Sequence, residues 1–423
     1  MTNDLVEEHS KWTKGAGFKM LKTCIIVGAG ARGKDAYAPY IYESGIMKLV
    51  GVAEIDDDKR NEFKNKYDIS DEMCFKSYEE LFSKGRLADA VIIATQDKDH
   101  IKPAKLAMKR GYHILLEKPV SPNESEVLEL EKDVMKYDKV FITGYVLRYT
   151  PFINKVKKLI EEGAIGDILT MQLNENEGFW HHAHSYVRGQ WNNSETSSPL
   201  IVAKSCHDFD LISYLIGSRC TSIASYGGNT HFVKENAPQN APDRCTEGCP
   251  IEEECKYNAV KLYTEGQAKY FLHILGCGED RNSIIEALKT NRYGRCVYKC
   301  DNNVCDHQVA AMSFEDGSTA VFTVSAFSLD NNRTLKIMGT EGELGGCMEK
   351  GEILLRKFAD SSEKNIQISC DDTKHCGGDS GLIKHFVKLI SGAEKENKKS
   401  IFDSHKMVFA AEESRLTKAM LHL

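Results

Sequence analysis

The chain has 423 residues, of which 41% are hydrophobic and 28% charged, which is the composition of a globular protein long enough for two domains. Its formal net charge of −7 argues against nucleic acid or an anionic membrane as the main partner. No apolar run reaches the roughly 18 residues that a membrane span needs. The polar N-terminal arm, residues 1–19, lacks the apolar stretch of a signal peptide, so we expect a cytoplasmic protein.

Residues 20–148 alternate short β-branched runs with longer amphipathic segments. The runs are KTCIIVGAG, KLVGVAEI, ADAVIIAT, YHILLEK and KVFITGY, and helix-like segments such as DDDKRNEFKNKY lie between them. Continuously apolar strands that alternate with helices are typical of a parallel sheet covered on both faces. This part therefore predicts an α/β dinucleotide-binding domain of the Rossmann type.

The pattern of apolar and polar residues changes in residues 149–423, and this part predicts an α+β domain. GDILTMQLNENEG and HQVAAMSFEDGSTAVFTVSAF alternate apolar and polar residues, which indicates an open, mainly antiparallel sheet with one face uncovered. Residues from about 229 to 305 form a cysteine-rich insert, whose first part, up to residue 258, is polar and predicts a long loop. The last segment, HKMVFAAEESRLTKAMLHL, predicts a helix to the end of the chain.

The first strand ends in the turn GAGARG, formed by Gly28, Gly30, Ala31, Arg32 and Gly33. A glycine turn between a strand and a helix lets a pyrophosphate approach the helix N-terminus, although an ordinary strand–helix turn has the same pattern. Glu54 ends the second strand, where a carboxylate accepts hydrogen bonds from the adenosine ribose and repels a 2′-phosphate. NAD is therefore favoured over NADP, and only Arg32, which could approach a phosphate, weakens that preference.

Several motifs in one order carry a family resemblance. EKP at Glu117–Pro119 follows ATQDKDH, which contains Thr95 and His100, and GYVLRYTPF, GDI and GTEGEL come later. Together with the glycine turn they resemble the Gfo/Idh/MocA family of NAD(P)-dependent sugar and polyol oxidoreductases. The resemblance implies a Rossmann domain followed by an open sheet that builds homodimers or homotetramers, and it places Thr95, His100, Glu117 and Lys118 at the cofactor.

Lys118 is the first catalytic candidate. An ammonium at the carboxyl end of a strand polarises a substrate hydroxyl and stabilises a developing oxyanion. The segment AKSCHDFD resembles the second catalytic segment of the family, with His207 as the general base and Asp210 in the position of its last aspartate. The usual first aspartate is replaced by Ala203, and Lys204 beside it is either a third catalytic group or a solvated lysine.

Candidate substrate-binding residues lie in three segments. NEGFWHHAHSYVRGQWNN supplies imidazole, guanidinium and indole groups suited to a polyol, with metal binding or a structural role as alternatives. GYVLRYTPF and HCGGDSG supply further polar groups, and a turn aspartate is the alternative for the second. The predicted set is Arg148, Tyr149, His181, His184, Arg188, Trp191, Asp210 and Asp379.

The cysteine-rich insert predicts a metal centre. Cys245, Cys249 and Cys255 follow the pattern C-x3-C-x5-C, and Cys296 and Cys300 come about forty residues later. In a cytosolic chain this spacing favours thiolate ligation of zinc or an iron–sulfur centre, with free thiols or disulfides as alternatives.

These observations predict an enzyme that transfers hydride from a secondary hydroxyl of a sugar, glycoside or polyol to NAD. One alternative is a redox-neutral glycosidase that keeps NAD bound and cleaves by oxidation and elimination, as some members of the resembled family do. The other is a non-catalytic NAD-binding regulatory protein. Which sugar is bound is not determined by the sequence.

Overall fold

The structure, a computed structural model, describes residues 21–369, 374–395 and 397–423. The predicted N-terminal arm lies outside these residues. Two sheets organise the chain, one with six strands and one with nine. No helix in the described ranges is long and apolar enough to cross a membrane.

The first sheet is parallel throughout and has the strand order β3-β2-β1-β4-β5-β6. This is the doubly wound Rossmann order, in which ligands bind at the carboxyl edge where the order reverses, here between β1 and β4. The strands are β1 Thr23–Val27, β2 Lys48–Ala53, β3 Cys74–Phe75, β4 Ala90–Ile93, β5 His113–Leu116 and β6 Phe141–Thr143. The helices are α1 Ala38–Ser44, α2 Asp57–Tyr67, α3 Tyr78–Ser83, α4 Ile101–Lys109 and α5 Glu124–Lys136.

Burial explains why these segments form this sheet. All four residues of β4 are buried because helices cover both faces of the sheet. Helix α2 begins where the side chain of Asp56 accepts hydrogen bonds from the backbone N–H groups of Asp58 and Lys59. A strand that is apolar on both sides therefore alternates with capped amphipathic helices, as the sequence predicts.

The second sheet has the order β14-β13-β12-β11-β7-β10-β9-β8-β15 and is antiparallel except between β7 and β10. Along its central strand β7, inward residues alternate with exposed ones, so helices cover one face only. The strands are β7 Ile168–Gly178, β8 Cys220–Gly228, β9 His307–Phe314, β10 Thr319–Ser328, β11 Asn332–Gly339, β12 Gly342–Cys347, β13 Glu352–Lys357, β14 Glu363–Gln367 and β15 Leu421–His422. The helices of this region are α6 Pro151–Glu161, α7 Phe179–His182, α8 Leu200–Ala203, α9 Cys206–Ile216, α10 Ala259–Thr264, α11 Leu272–Leu275, α12 Arg281–Thr290, α13 Gly378–Ile390 and α14 Lys399–Thr417.

The cysteine-rich insert contains more structure than a polar loop. Helices α10, α11 and α12 enclose a small apolar core that includes Tyr263, Ile284 and Leu288. Phe232 and Tyr257, from the segment predicted as a loop, are also buried. The prediction of a polar loop up to residue 258 is therefore corrected, because aromatic side chains of this segment are buried.

The C-terminal helix joins the two parts of the molecule. Ile401 and Phe402 of α14 belong to the apolar core of the first sheet, although they are distant from it in sequence. The predicted helix to the chain end is corrected at one point. Lys418 adopts φ 58°, which ends α14, and Leu421–His422 then pairs with β8.

Candidate active site

The glycine turn has the geometry that a dinucleotide needs. Gly28 has φ +96°, and a Cβ there would lie 2.5 Å from Ala94 O. A Cβ on Gly33 would lie 2.0 Å from Gly28 O, so the helix after the turn can approach β1 only with glycine at this position. No atom of the described residues lies within 4 Å of the Cβ position of Gly30, so the space above the turn is open to a ligand. The residues therefore fit a pyrophosphate at this edge of the sheet.

Glu54 follows β2 and reaches back to the glycine turn. Its Oε2 accepts a hydrogen bond from Ala29 N at 2.6 Å, and its Oε1 accepts one from Asp56 N at 3.0 Å. Both bonds hold a carboxylate beside the turn, where it would meet the ribose of a dinucleotide. Ala31 begins the helical segment Ala31–Tyr37 directly above it.

Arg32 does not serve the role that the sequence suggested for it. Its Nε donates to Glu117 Oε1 at 2.6 Å, and its Nη2 donates to Asp379 Oδ1 at 2.6 Å and to Tyr37 OH at 2.8 Å. The guanidinium is therefore bound to two carboxylates of the protein, and Arg32 no longer argues for a 2′-phosphate. Glu117, predicted at the cofactor, and Asp379, predicted at the substrate, are both partners of Arg32 in this network.

The next strand ends carry Thr95, His100 and Lys118. His100 is buried, and its Nδ1 and Nε2 contact Pro119 O at 2.7 Å and Thr95 O at 3.2 Å. These contacts connect the ends of β4 and β5, so His100 holds the loop that carries Lys118. Thr95 is half-buried beside the turn and donates its hydroxyl proton to Asp99 O.

Lys118 and His207 meet at the carboxyl edge of the first sheet. The Nζ of Lys118 donates to Ala203 O, at the end of α8, at 3.1 Å. Burial and the nearby charge of Lys118 lower the pKa of His207 well below its ordinary value, so the imidazole is neutral. Its Nδ1 is buried and has no hydrogen-bond partner among the described residues. A cation and a neutral imidazole thus lie together, a combination suited to deprotonating a hydroxyl.

Two carboxylates that the sequence analysis missed face Lys204. Its Nζ lies 3.4 Å from Glu175 Oε1 and 3.5 Å from Glu177 Oε1. Burial opposes ionisation of Glu177, but Lys204 and a hydrogen bond from His182 outweigh it and lower its pKa. Lys204 is therefore a half-buried, ion-paired group rather than a solvated one. The missed signal was the register of β7, in which Met171, Leu173, Glu175 and Glu177 all occupy inward positions.

Arg333 extends this charged group and was also missed. Its guanidinium pairs with Glu175 and, at 2.8 Å, with Oδ1 of the buried Asp208. His181 lies on the other side, 3.5 Å from Glu177 Oε1 and 3.2 Å from Asn331 Oδ1. Burial and the charge of Lys204 lower the pKa of His181 to about 4. The site therefore carries a carboxylate pair supplied by β7, although the usual aspartate is replaced by Ala203.

Several predicted substrate ligands are bound within the protein instead. Asp210 is 1% exposed and accepts a hydrogen bond from Arg148 Nε at 2.6 Å. Tyr149 packs against the ring of His385, with centroids 5.0 Å apart. These three residues support the junction between α9 and the C-terminal segments, so we remove Arg148, Tyr149 and Asp210 from the predicted substrate site.

Two predicted substrate ligands of the segment NEGFWHHAHSYVRGQWNN, His184 and Arg188, are also bound within the protein. The ring of His184 is stacked between Phe271 and Tyr293, at 4.0 and 4.5 Å, and its Nδ1 contacts Tyr263 OH at 2.5 Å. Arg188 is 2% exposed and donates to Arg295 O and Tyr257 O. Both are corrected to structural residues.

Trp191 and Asp379 occupy different positions relative to the site. Trp191 packs beside Tyr186, with centroids 6.1 Å apart, and is half-buried. Asp379 accepts from Arg32 and lies 3.2 Å from His375 Nδ1, and the His375 ring is 6.4 Å from that of His207. Of the predicted substrate ligands, His181 and Trp191 therefore remain candidates, and His375 joins them.

The metal prediction is also corrected. Among the described residues no three His, Cys, Asp or Glu side chains are placed so that they could hold one metal ion. A zinc ion shared by the five cysteines is therefore not supported. The Sγ of Cys300 donates to Cys296 O at 3.3 Å, and none of the five forms a disulfide.

Comparison with known protein families divides the chain into the same two parts. The NAD-binding Rossmann fold of the GFO_IDH_MocA oxidoreductase family matches residues 22–145, and its C-terminal alpha/beta domain matches residues 157–367. YteT of Bacillus subtilis (strain 168), described as an oxidoreductase, is 23% identical over 310 residues, which are 70% of this chain and 71% of YteT. Inositol 2-dehydrogenase of Corynebacterium glutamicum is 28% identical over 211 residues, which are 47% of this chain and 55% of that enzyme.

A solved structure has the same fold over almost the whole length. Levoglucosan dehydrogenase in complex with NADH and levoglucosan aligns with a TM-score of 0.70 and 16% identity, covering 95% of this chain and 99% of that chain. The family matches cover more than half of the sequence, and both sheets have the expected topology. The chain therefore belongs to the GFO_IDH_MocA family of oxidoreductases, with an NAD-binding Rossmann domain followed by a C-terminal α/β domain.

Proposed function

We propose that this protein is an NAD-dependent dehydrogenase that oxidises a secondary hydroxyl of a sugar, glycoside or polyol. The observation that carries the proposal is the placement of Lys118, whose Nζ donates to Ala203 O, near the neutral, buried imidazole of His207 at the carboxyl edge of the Rossmann sheet. The similarity to inositol 2-dehydrogenase supports a polyhydroxylated substrate. The glycine turn and Glu54 would hold the dinucleotide, and bound NAD would supply the hydride acceptor.

In this proposal Lys118 and His207 act on the same oxygen. Lys118 donates a hydrogen bond to the substrate hydroxyl and stabilises the negative charge that develops as its proton leaves. His207 accepts that proton, because its imidazole is neutral and its Nδ1 bonds to none of the residues that the structure describes. Ala203 O fixes the Lys118 ammonium beside the reacting group.

Lys204 and its carboxylates are proposed to bind the remaining hydroxyl groups. Glu177 Oε1 is buried and has no hydrogen-bond partner in the described part of the chain, although Lys204 pairs with it electrostatically. A carboxylate with unused acceptor capacity suits a neighbouring hydroxyl. His181 and Asn331 lie beside it and complete a polar wall.

Glu54 supports NAD rather than NADP as the cofactor. Its carboxylate is fixed beside the turn, and Arg32 is paired with Glu117 and Asp379 instead of facing a phosphate. Titration of the purified protein with both dinucleotides tests this proposal. Tighter binding of NADP by the wild type would contradict it, and Glu54→Ser should narrow the preference for NAD.

The second candidate is a redox-neutral glycosidase, favoured by the extra carboxylates around Lys204. Elimination needs a proton acceptor for a C–H bond besides the group that serves the hydroxyl, and Glu177 or the neutral His181 could supply it. One assay separates the two functions. Polyols and glycosides are incubated with the protein and NAD, and the reduced nicotinamide absorbance and the released sugar are followed together.

A dehydrogenase accumulates reduced cofactor in proportion to oxidised product. A redox-neutral glycosidase releases sugar without net reduction of NAD. If neither reduced NAD nor released sugar appears, although NAD is bound and a broad set of substrates has been tested, both enzymatic functions are contradicted. That result favours the regulatory alternative.

A further inference from the structure

A proton that His207 takes from a substrate hydroxyl must reach solvent before the next turnover. His207 is 7% exposed, so bulk water has little direct access to its imidazole. Burial and the charge of Lys118 hold the pKa of His207 well below its ordinary value, so an imidazolium formed there is a strong acid. The proton therefore needs a nearby group that accepts it and is itself in contact with solvent.

Most of the groups around His207 cannot take this role. Three of them are the cations Lys118, Arg333 and Arg32, which have no site for a further proton. The ring of Tyr145 is 6.0 Å away between centroids, but Tyr145 is 3% exposed. Its OH contacts Nδ1 of His405, which is fully buried. None of these five groups connects the imidazole of His207 to solvent.

His375 combines an accepting group with contact to solvent. Its ring centroid lies 6.4 Å from that of His207, with an angle of 47° between the ring planes. Its side chain is 36% exposed. A single water molecule can bridge polar groups of two rings at this separation. A proton that reaches His375 is therefore already at the surface of the protein.

A carboxylate determines which nitrogen of His375 accepts the proton. The Nδ1 of His375 lies 3.2 Å from Asp379 Oδ2. Burial opposes ionisation of Asp379, but the hydrogen bond with His375 and the charge of Arg32 outweigh it and lower its pKa to about 2. An ionised carboxylate can only accept a hydrogen bond, so Nδ1 of His375 carries a proton and Nε2 is the accepting nitrogen.

Further hydrogen bonds connect His375 to the residue next to the reacting centre. Asp379 Oδ1 accepts from Arg32 Nη2 at 2.6 Å, and Arg32 Nε donates to Glu117 Oε1 at 2.6 Å. Glu117 Oε2 accepts from the backbone N–H of Lys118 at 3.0 Å. His375 also has φ 58°, in the left-handed region that residues other than glycine rarely adopt away from functional sites. The exposed imidazole is therefore held in place relative to Lys118.

We propose that His375 relays the proton from His207 to solvent, an inference that rests on the proposed dehydrogenase function. The O–H bond of the substrate breaks as its proton joins His207. The proton then passes through a bridging water to Nε2 of His375, and His375 releases a proton to water or buffer, which restores both neutral imidazoles. The relay moves protons only, because the two electrons leave the substrate carbon with the hydride. His375 acts through His207 and is therefore a positioning residue for the proton.

The test follows proton and hydride together in a single turnover of His375→Gln. The probe is the compound that the wild type oxidises fastest in the screen of polyols and glycosides, which begins with myo-inositol, glucose and methyl glucoside. Stopped-flow absorbance records the reduced nicotinamide and a pH indicator in weakly buffered solution. In the wild type both signals should rise together. In the variant nicotinamide reduction should keep its rate, whereas proton release should be slower by about tenfold or more.

Small imidazoles distinguish a relay from a structural role. Imidazole added to His375→Gln should restore the rate of proton release, and substituted imidazoles should restore it to an extent that follows their pKa. His422→Gln, which removes an exposed histidine of the second sheet, is the control and should behave as the wild type. Circular dichroism of each variant establishes that it is folded.

The outcomes separate the relay from the proposed function. If the wild type reduces NAD and proton release in His375→Gln stays in step with nicotinamide reduction, the relay is overturned and the dehydrogenase function stands. A slow release that no imidazole accelerates overturns the relay in the same way. A wild type that reduces no NAD with any compound of the screen overturns the proposed function, and the relay with it.

Discussion

At the scale of single residues, the candidate site is defined by which charges are compensated and which are left to act on a ligand. Arg32, Arg148 and Arg333 are each bound to buried carboxylates of the protein. The ammonium of Lys118 contacts only a carbonyl oxygen among the bonds described, so its charge is available to a substrate. The same reasoning singles out His207, because its imidazole is neutral and its Nδ1 has no hydrogen-bond partner within the described part of the chain.

Lys118→Ala should abolish turnover while NAD affinity stays within about tenfold, because the ammonium acts on the reacting oxygen rather than on the cofactor. Steady-state kinetics and NAD titration are measured on the same preparation. Lys98→Ala, which removes an exposed lysine whose Nζ donates to Glu195 O, is the matched control. Near-normal turnover of the Lys118 variant would remove this residue from the mechanism.

Lys204→Met should destabilise the fold by about 3 kcal/mol, because it leaves the buried Glu177 without its cationic partner, whereas Glu175 keeps Arg333. The double variant Lys204→Met/Glu177→Gln should recover part of that loss, since Glu177 no longer carries a charge. Urea unfolding measures both effects. A single variant as stable as the wild type would show that the ion pairs contribute little.

The same two variants separate stability from catalysis. If Lys204 and Glu177 bind substrate hydroxyls, the stabilised double variant should still show a raised KM. An unchanged KM would indicate that Lys204 and Glu177 have a structural role only.

At the scale of elements, the register of a strand and the approach of two backbones matter more than any single side chain. The inward register of β7 places Glu175 and Glu177 beside Lys204, the residue that follows Ala203. The close approach of β1 to the following helix requires Gly33 and leaves the space above Gly30 open.

Gly30→Ala and Gly33→Ala should therefore have different consequences. At Gly30, where φ is −78°, alanine fits the backbone, so stability should be unchanged while its methyl group obstructs the pyrophosphate and weakens NAD binding. At Gly33 the methyl group collides with Gly28 O, which should cost about 2 kcal/mol or more of stability as well as NAD affinity. Thermal unfolding with and without NAD distinguishes them, and equal losses of stability would contradict this explanation.

At the scale of the whole molecule, the C-terminal helix ties the two sheets together through a buried histidine. His405 of α14 accepts a hydrogen bond from Val120 N at 2.8 Å, and its Nδ1 contacts Tyr145 OH at 2.6 Å. Burial lowers the pKa of His405 to about 3. A neutral imidazole is therefore part of the junction next to Lys118.

This junction predicts that stability falls in acid. The unfolded chain binds a proton at His405 below about pH 6.5, whereas the folded chain does not until about pH 3. Between these two pH values, His405 should lower the free energy of unfolding by about 1.4 kcal/mol for each unit by which the pH falls. His405→Gln should have a shallower slope of stability against pH over this window, and an equal slope would contradict the assignment.

The sequence by itself predicted the fold class and the glycine turn from local patterns, and Glu54 from its place at the end of the second strand. The family resemblance singled out Lys118 and His207, whose catalytic roles stay a prediction. Apolar periodicity predicts strands and helices. A glycine turn or a lysine at a strand end has its position in the fold whichever residues pack against it. Tertiary structure alone decided that Arg32, Arg148 and Arg188 turn inward, that β7 supplies the carboxylates, and that four cysteines meet at one cavity. Those outcomes depend on which distant groups share a buried volume, where an unpaired charge is costly, and spacing along the chain does not encode that proximity.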